Sequence, residues 1–192
     1  LAIGLAACII ILLFIVDELS YDSFHDNSGR IHRITVHGVF GDNEFNSTYT
    51  PAPLAQAMLN EFPEVEKITR LMLRPQRSVR VSDEKTFIED RFFYADSSFF
   101  EIFSFRLISG DPATVLSEPG NIVLTKSTAR RYFGEEDPIG KQLVEDNRFN
   151  YIVTGIVEDA PANSHFRFNV LASFTTLPWH ANPSWFNQSA PT

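Results

Sequence analysis

The chain has 192 residues, 44% hydrophobic and 21% charged, the balance of an ordinary globular protein and not of a disordered one. Its formal charge of -8 argues against a nucleic-acid interface, which needs clustered Lys and Arg, and against a basic patch for anionic lipid. The length allows one domain or two small ones with a real core, and eighteen Phe residues offer large apolar side chains to fill it.

Residues 1–16 read LAIGLAACIIILLFIV, with no charge in the run. As a helix they span about 24 Å, slightly short of the ~20 residues a bilayer crossing needs. They are expected to be the C-terminal part of a transmembrane helix. A signal peptide would place a small-residue cleavage site after the run, where Asp17-Glu18 stands instead. Leu5-Ala6-Ala7-Cys8 resembles a lipoprotein cleavage box, but eight apolar residues follow Cys8 where a mature lipoprotein turns polar. A soluble core helix would show a polar face, and this run has none. The flank beyond it carries Asp17, Glu18, Asp22 and Asp26 before the first basic residue, Arg30. By the positive-inside rule that flank lies outside the cytoplasm, and residues 17–192 are expected to form an extracytoplasmic domain. Cys8 is the only cysteine, so no intrachain disulfide is possible. The chain starts at Leu1, not Met, and ends on Gln188-Ser189-Ala190-Pro191-Thr192; it is expected to be a piece of something longer.

Residues 17–28 are expected to continue the helix into water, up to the break at Asn27-Ser28-Gly29. Residues 30–37 and 44–49 read as strands around a turn at Gly41-Asp42-Asn43. Thr50-Pro51-Ala52-Pro53 reads as a helix start, Leu54, Met58, Leu59 and Phe62 recur at helical spacing, and Pro63 ends the helix. Residues 68–73, 79–81 and 86–94 are candidate strands. Asp96-Ser97-Ser98 is expected to cap a short helix over 99–103. Residues 121–125 read as an apolar strand, 126–133 as a helix stopped by Gly134, and 141–144 with 149–157 as a hairpin about Glu145-Asp146-Asn147. Residues 166–175 are a further candidate strand, and the tail with Pro178, Pro183 and Pro191 is uninformative. Helices and strands interspersed with short turns predict an α+β fold in two lobes.

No catalytic, cofactor-binding or metal site emerges. Gly134 and Gly140-Lys141 are spaced one residue too widely for a phosphate loop, and Gln142 stands where Ser or Thr would bind magnesium. His25, His32 and His37 match no zinc spacing. There is no Gly-x-Ser-x-Gly elbow, and Cys8 lies in the apolar run. Glu135-Glu136-Asp137 sit beside Pro138 and Gly140, as a solvated turn does. Phe92-Phe93-Tyr94 with Phe99, Phe100, Phe103 and Phe105 could form a binding surface, but aromatic residues at strand and helix spacing more often build core.

Four segments together carry a resemblance. They are DELSYDSFH at 17–25 leading to Arg30-Ile31-His32-Arg33; ADSSFFEIFSF at 95–105 leading to Gly110-Asp111; Ile122-Val123-Leu124-Thr125 with Tyr132-Phe133-Gly134 and Asp137-Pro138-Ile139-Gly140-Lys141; and YIVTGIVED at 151–159 with Pro161-Ala162-Asn163-Ser164-His165-Phe166. In this order they resemble the MacB-like periplasmic core domain of FtsX-like ABC transporter permeases, and the DELSYD junction resembles the Bacteroidetes branch. The resemblance implies a porter-like α/β lobe plus a smaller β-rich lobe, inserted between the first and second of four membrane helices in the inner membrane. It implies a cytoplasmic ABC ATPase subunit and a second permease chain or domain as partners, with ATP hydrolysis moving the outer domains to export or extract cargo. It assigns no active site, so the chain is expected not to be an enzyme. It also implies that the chain stops before the family's last strands. The alternative is a membrane-anchored sensor that binds a small ligand.

Overall fold

The computed structural model describes residues 2–41, 43–51 and 53–177. The expected features of the tail, Pro178, Pro183 and Pro191 included, lie outside them.

Helix α1 (Ala2–Ser20) contains no buried residue, and Ile3, Ile10, Leu13, Phe14 and Val16 all stand exposed. It is the one helix among the described residues long and apolar enough to cross a membrane. An apolar rod with no protein around it is stable in lipid, where its backbone bonds are all internal. The expected extension to residue 28 does not form: the helix stops at Ser20, and Asp22 takes a left-handed backbone (φ 54°), a conformation Asp tolerates better than most residues. A 3₁₀ turn (Ser28–Arg30) follows.

Next come a hairpin of β1 (Val36–Phe40) and β2 (Asn43–Ser47), and helix α2 (Leu54–Glu61). β1 starts later than the expected residue 30. Helix α2 ends at Phe62, which is extended, as the residue before a proline must be. Among the described residues none between His25 and Val79 is buried.

The body is a mixed sheet of nine strands. These are β3 (Leu71–Leu73), β4 (Arg77–Ser82), β5 (Lys85–Glu89), β6 (Phe92–Ala95), β7 (Leu107–Ser109), β8 (Asn121–Thr125), β9 (Gln142–Glu145), β10 (Phe149–Val157) and β11 (Val170–Ser173). Their order is β3-β6-β11-β8-β10-β9-β4-β5, with β7 beside the end of β10. β6 runs parallel to β11 and β8 parallel to β10; the other pairs are antiparallel. The expected strand 86–94 is two strands, β5 at one edge of the order and β6 next to the other edge, and 166–175 contains only the four strand residues of β11.

β8 and β11 are buried on both faces, which is why residues 121–125 read as an apolar strand. Ile122 and Leu124 join one core with Phe92, Tyr94, Tyr151 and Val170; Val123 joins the other with Phe99, Phe105, Phe168 and Leu171. Neighbouring residues of one strand thus feed opposite faces. Helix α4 (Lys126–Phe133) supplies Ala129 and Tyr132 to the first core, and helix α3 (Phe99–Ile102) covers the second. Thr125 caps α4 through its side-chain oxygen, and Gly134 closes it at φ 66°. The expected cap of α3 by Asp96-Ser97-Ser98 stands at Ser98, without a side-chain bond to the helix, and the Asp96 side chain is turned elsewhere. Its carboxylate instead holds the Arg70 guanidinium through both oxygens, at 2.9 and 2.7 Å.

Candidate functional site

Among the described residues, the side-chain hydrogen bonds that span the greatest separation along the chain lie where α1 meets the domain. The last carbonyls of a helix have no internal partners. Here the Ser20 carbonyl accepts from Asn163 Nδ2 at 2.8 Å, and Asn163 O in turn accepts from the Asp22 amide at 2.9 Å. The Asp22 carboxylate takes the His165 amide at 3.0 Å and meets His165 Nδ1 at 2.8 Å. Tyr21 packs on the His165 ring, centroids 4.8 Å apart.

Three residues further on lies a second attachment. His25 is 3% exposed. Its Nδ1 accepts from the Ser104 amide at 3.1 Å, while the Asp26 amide donates to Ser104 Oγ at 2.9 Å. Phe24, Phe103 and Phe105 surround the imidazole, with centroids 4.0, 5.2 and 5.1 Å away. Burial pulls the His25 pKa down, opposed by the nearby carboxylates of Asp22 and Asp26. The turn after the apolar helix is therefore fastened to the segments around Ser104 and around 163–165, both carried by the sheet body.

Of the aromatic residues singled out from the sequence, Phe93, Phe99, Phe100, Phe103 and Phe105 belong to the core behind this junction, and Phe92 and Tyr94 to the core on the opposite face. Phe99 is fully buried and Phe105 nearly so; Phe93, Phe100 and Phe103 pack partly buried against the same side. Phe99 stacks parallel to Phe105 at 5.7 Å and meets Phe168 edge-on at 5.8 Å. Phe24 from the turn reaches Phe105 at 5.5 Å, so the aromatic core extends up to the junction.

On the other face two carboxylates are buried and satisfied. Glu145 accepts from Tyr94 at 2.5 Å and Tyr151 at 2.9 Å. Glu89 accepts from Tyr132 at 2.7 Å, Asn169 Nδ2 at 2.8 Å and Arg131. Burial first holds Tyr94, Tyr132 and Tyr151 well above the ordinary phenol range; next comes the adjacent carboxylate for Tyr94 and Tyr132, and the neighbouring Tyr94 phenol, ahead of Glu145, for Tyr151. Neutral phenols donating to a fixed carboxylate hold these elements together.

The remaining candidates are dispersed. His32 is exposed, and His37 on β1 bonds Asn46 across the hairpin at 2.9 Å, both apart from buried His25. Among the described residues no three His, Cys, Asp or Glu side chains are placed to hold a metal ion. Glu135 pairs with Arg130 at 3.0 Å and Glu136 with Lys141 at 2.5 Å, while Asp137 accepts from the Ile139 amide. Lys141 holds the Glu136 carboxyl below its usual range. Gly134 and Gly140 bracket this turn at φ 66° and 78°, at the C-terminus of α4, the wrong helix end for a phosphate cradle. A shallow cleft of about 420 Å³ beside it is lined by Ile108, Ala129, Pro138, Ile139 and Ile156. Ser104, Asn163 and His165 sit inside the quoted motifs without having been assigned a role. Ser104 is marked only as a polar residue inside a Phe-rich stretch, and Asn163 and His165 carry no such local mark.

The model of the family described as the MacB-like periplasmic core domain matches residues 1–189. Among solved structures, the chain is similar to a domain described as that of a permease protein from Porphyromonas gingivalis, with 27% identity and a TM-score of 0.66 over 77% of this chain and 65% of that one. It is similar in fold to the periplasmic region of MacB from Actinobacillus actinomycetemcomitans, at 20% identity and TM-score 0.50, over 64% of this chain and 54% of that one. The same holds for the extracellular domain of the noncanonic ABC-type transporter YknZ from Gram-positive bacteria, at 15% identity and TM-score 0.50, over 63% and 61%. The chain thus spans less than two thirds of each of these relatives. No curated protein matches it.

Proposed function

We propose, from the premise that this chain belongs to the MacB-like periplasmic core domain family, that it relays movement between a membrane helix and the domain outside the membrane. The family is a periplasmic domain of ABC transporter permeases and not a catalytic enzyme family. Residues 1–16 are read as the membrane part, residues 17–20 as the helix emerging from it, and the rest as the outer domain of a permease subunit in the inner membrane. A cytoplasmic ABC ATPase and a second permease chain complete the assembly, and the work is export or extraction of a cargo.

The observation that carries this reading is the double attachment at the end of α1. One contact alone would let the helix pivot. Two attachments, at Asn163/His165 and at Ser104, leave it little slack, so a shift or rotation of the helix end displaces both segments of the body. The body is stiff because its central strands are buried on both faces.

The test uses the complete permease with its ATPase in lipid nanodiscs, with spin labels on α4 and at the outer end of a neighbouring membrane helix. ATP should change the label distance in the native protein. Asp22→Ala with Asn163→Ala should abolish that change while leaving ATP hydrolysis running. An unchanged ATP-driven distance in the double variant would sink the relay. A distance that answers to a small ligand and not to ATP would favour the sensor.

A further inference from the structure

His25 closes the second attachment in only one protonation state. Its Nδ1 faces the Ser104 N–H at 3.1 Å, so that nitrogen must present a lone pair. The neutral ring then carries its proton on Nε2, which is cut off from water and has no hydrogen-bond partner. A second proton would have to sit on Nδ1, donor against donor, and would place a cation among Phe24, Phe103 and Phe105. The groups facing the ring cannot absorb that change in place. Asp22 and Asp26 come from its own turn, and Asp22 is already engaged by the His165 amide and ring. The opposing segment, Phe103-Ser104-Phe105, holds no ionisable side chain. Beyond it Arg106 pairs with Glu158 at 3.5 Å, both largely exposed.

We propose that His25 is a proton-operated latch between the membrane helix and the domain. In the neutral state it fastens the turn to Ser104. On acidification the imidazolium leaves the aromatic pocket toward water and its two carboxylates, and both bonds to Ser104 open. The Asn163/His165 attachment does not depend on this bond, so the helix stays tethered at one point and gains freedom to pivot. The latch deepens the relay reading, but its readout is local to residues 25 and 104 and needs neither transport nor ATP.

The experiment uses the full chain in nanodiscs. Nitrogen chemical shifts of the His25 ring should show, near neutral pH, an unprotonated Nδ1 and a protonated Nε2. Amide exchange at Ser104, corrected for its intrinsic pH dependence, should lose protection by roughly tenfold or more between about pH 7.5 and about pH 5. His25→Asn puts a carbonyl oxygen where Nδ1 stands and removes the titration, so its Ser104 protection should not vary with pH. A proton on Nδ1 at neutral pH, or wild-type Ser104 protection constant over that interval, overturns the latch. Both wild-type readouts decide the matter even if the variant packs poorly.

Discussion

Asp22 and His165 are 143 positions apart in the chain, yet two bonds join them: the His165 amide to Oδ1 at 3.0 Å and the ring Nδ1 to Oδ2 at 2.8 Å. They tie the first residues after the apolar helix to a loop near the far end of the sheet body. The pair is well exposed, so water screens it and its energetic weight is modest. A double-mutant cycle of Asp22→Ala and His165→Ala, read from chemical denaturation in nanodiscs, should give a coupling of about 0.5–1 kcal/mol. Proteolysis at residues 20–26 should rise in either single variant, because the turn then loses its anchorage. A coupling near zero with unaltered cleavage would remove Asp22 from the attachment.

Phe99 is fully buried between Phe105, Phe168 and Phe100. Phe99→Ala should cost about 3–5 kcal/mol in equilibrium unfolding, the sum of lost transfer energy and the cavity left behind. Phe99→Leu should recover much of that. A change under about 1 kcal/mol for the alanine variant would mean that this aromatic cluster is surface and not core.

Glu145 is where two phenols converge, and removing the acceptor leaves them only their bond to each other, at 3.0 Å, which can use one of their two protons. Glu145→Ala should destabilise by about 3 kcal/mol or more, whereas Tyr151→Phe should cost about 1–2 kcal/mol. The alkaline limb of the stability curve follows from the same groups. The phenols of Tyr94, Tyr132 and Tyr151 have raised pKa values and stay neutral in the folded chain, while in the unfolded chain they ionise near pH 10. Their contribution is complete below about pH 10 and is lost as pH rises above it. Tyrosinate absorbance should therefore rise in a step that coincides with loss of far-ultraviolet circular dichroism. Full ionisation with the fold intact would contradict their burial.

Gly155 lets β10 pass close to its neighbours. A Cβ there would stand 2.9 Å from Val115 Cγ1 and 3.2 Å from the Ser109 carbonyl oxygen. Gly155→Ala should cost about 1–3 kcal/mol through overpacking. In a Val115→Ala background the additional cost should be smaller, since the tightest of the three close contacts, the third being Val123 Cγ2 at 3.3 Å, has gone. Additive costs would show that the backbone of β7, and not Val115, sets the limit.

How far the sequence revealed this structure depends on the range of the contacts involved. Helix α1, β8, α4 and β10 were legible because each is specified locally, by an uninterrupted apolar run, by alternation, or by a terminal glycine. β7 was not, being three residues long and paired only with the end of β10. The division of residues 86–94 was hidden because β6 leaves β5 to pair with β3 and β11, and Arg91 O accepts the Asn169 amide at 2.9 Å at the crossing. His25 looked like one of three undistinguished histidines. Its burial depends on Ser104, 79 positions later, and no local pattern encodes such a contact.

The distance along the chain between the two sides of the junction also bears on how the protein is made. Ser20 and Asp22 leave the ribosome long before Asn163 and His165, which follow about 140 residues later. At roughly 5–20 residues per second that interval is several seconds to half a minute. Throughout it the apolar helix is already available to the insertion machinery with nothing to hold it. Entry into the bilayer therefore comes first, and attachment of the helix to the domain is among the last steps of maturation, so a newly inserted chain passes through a period in which its anchor and its domain are joined by covalent bonds alone.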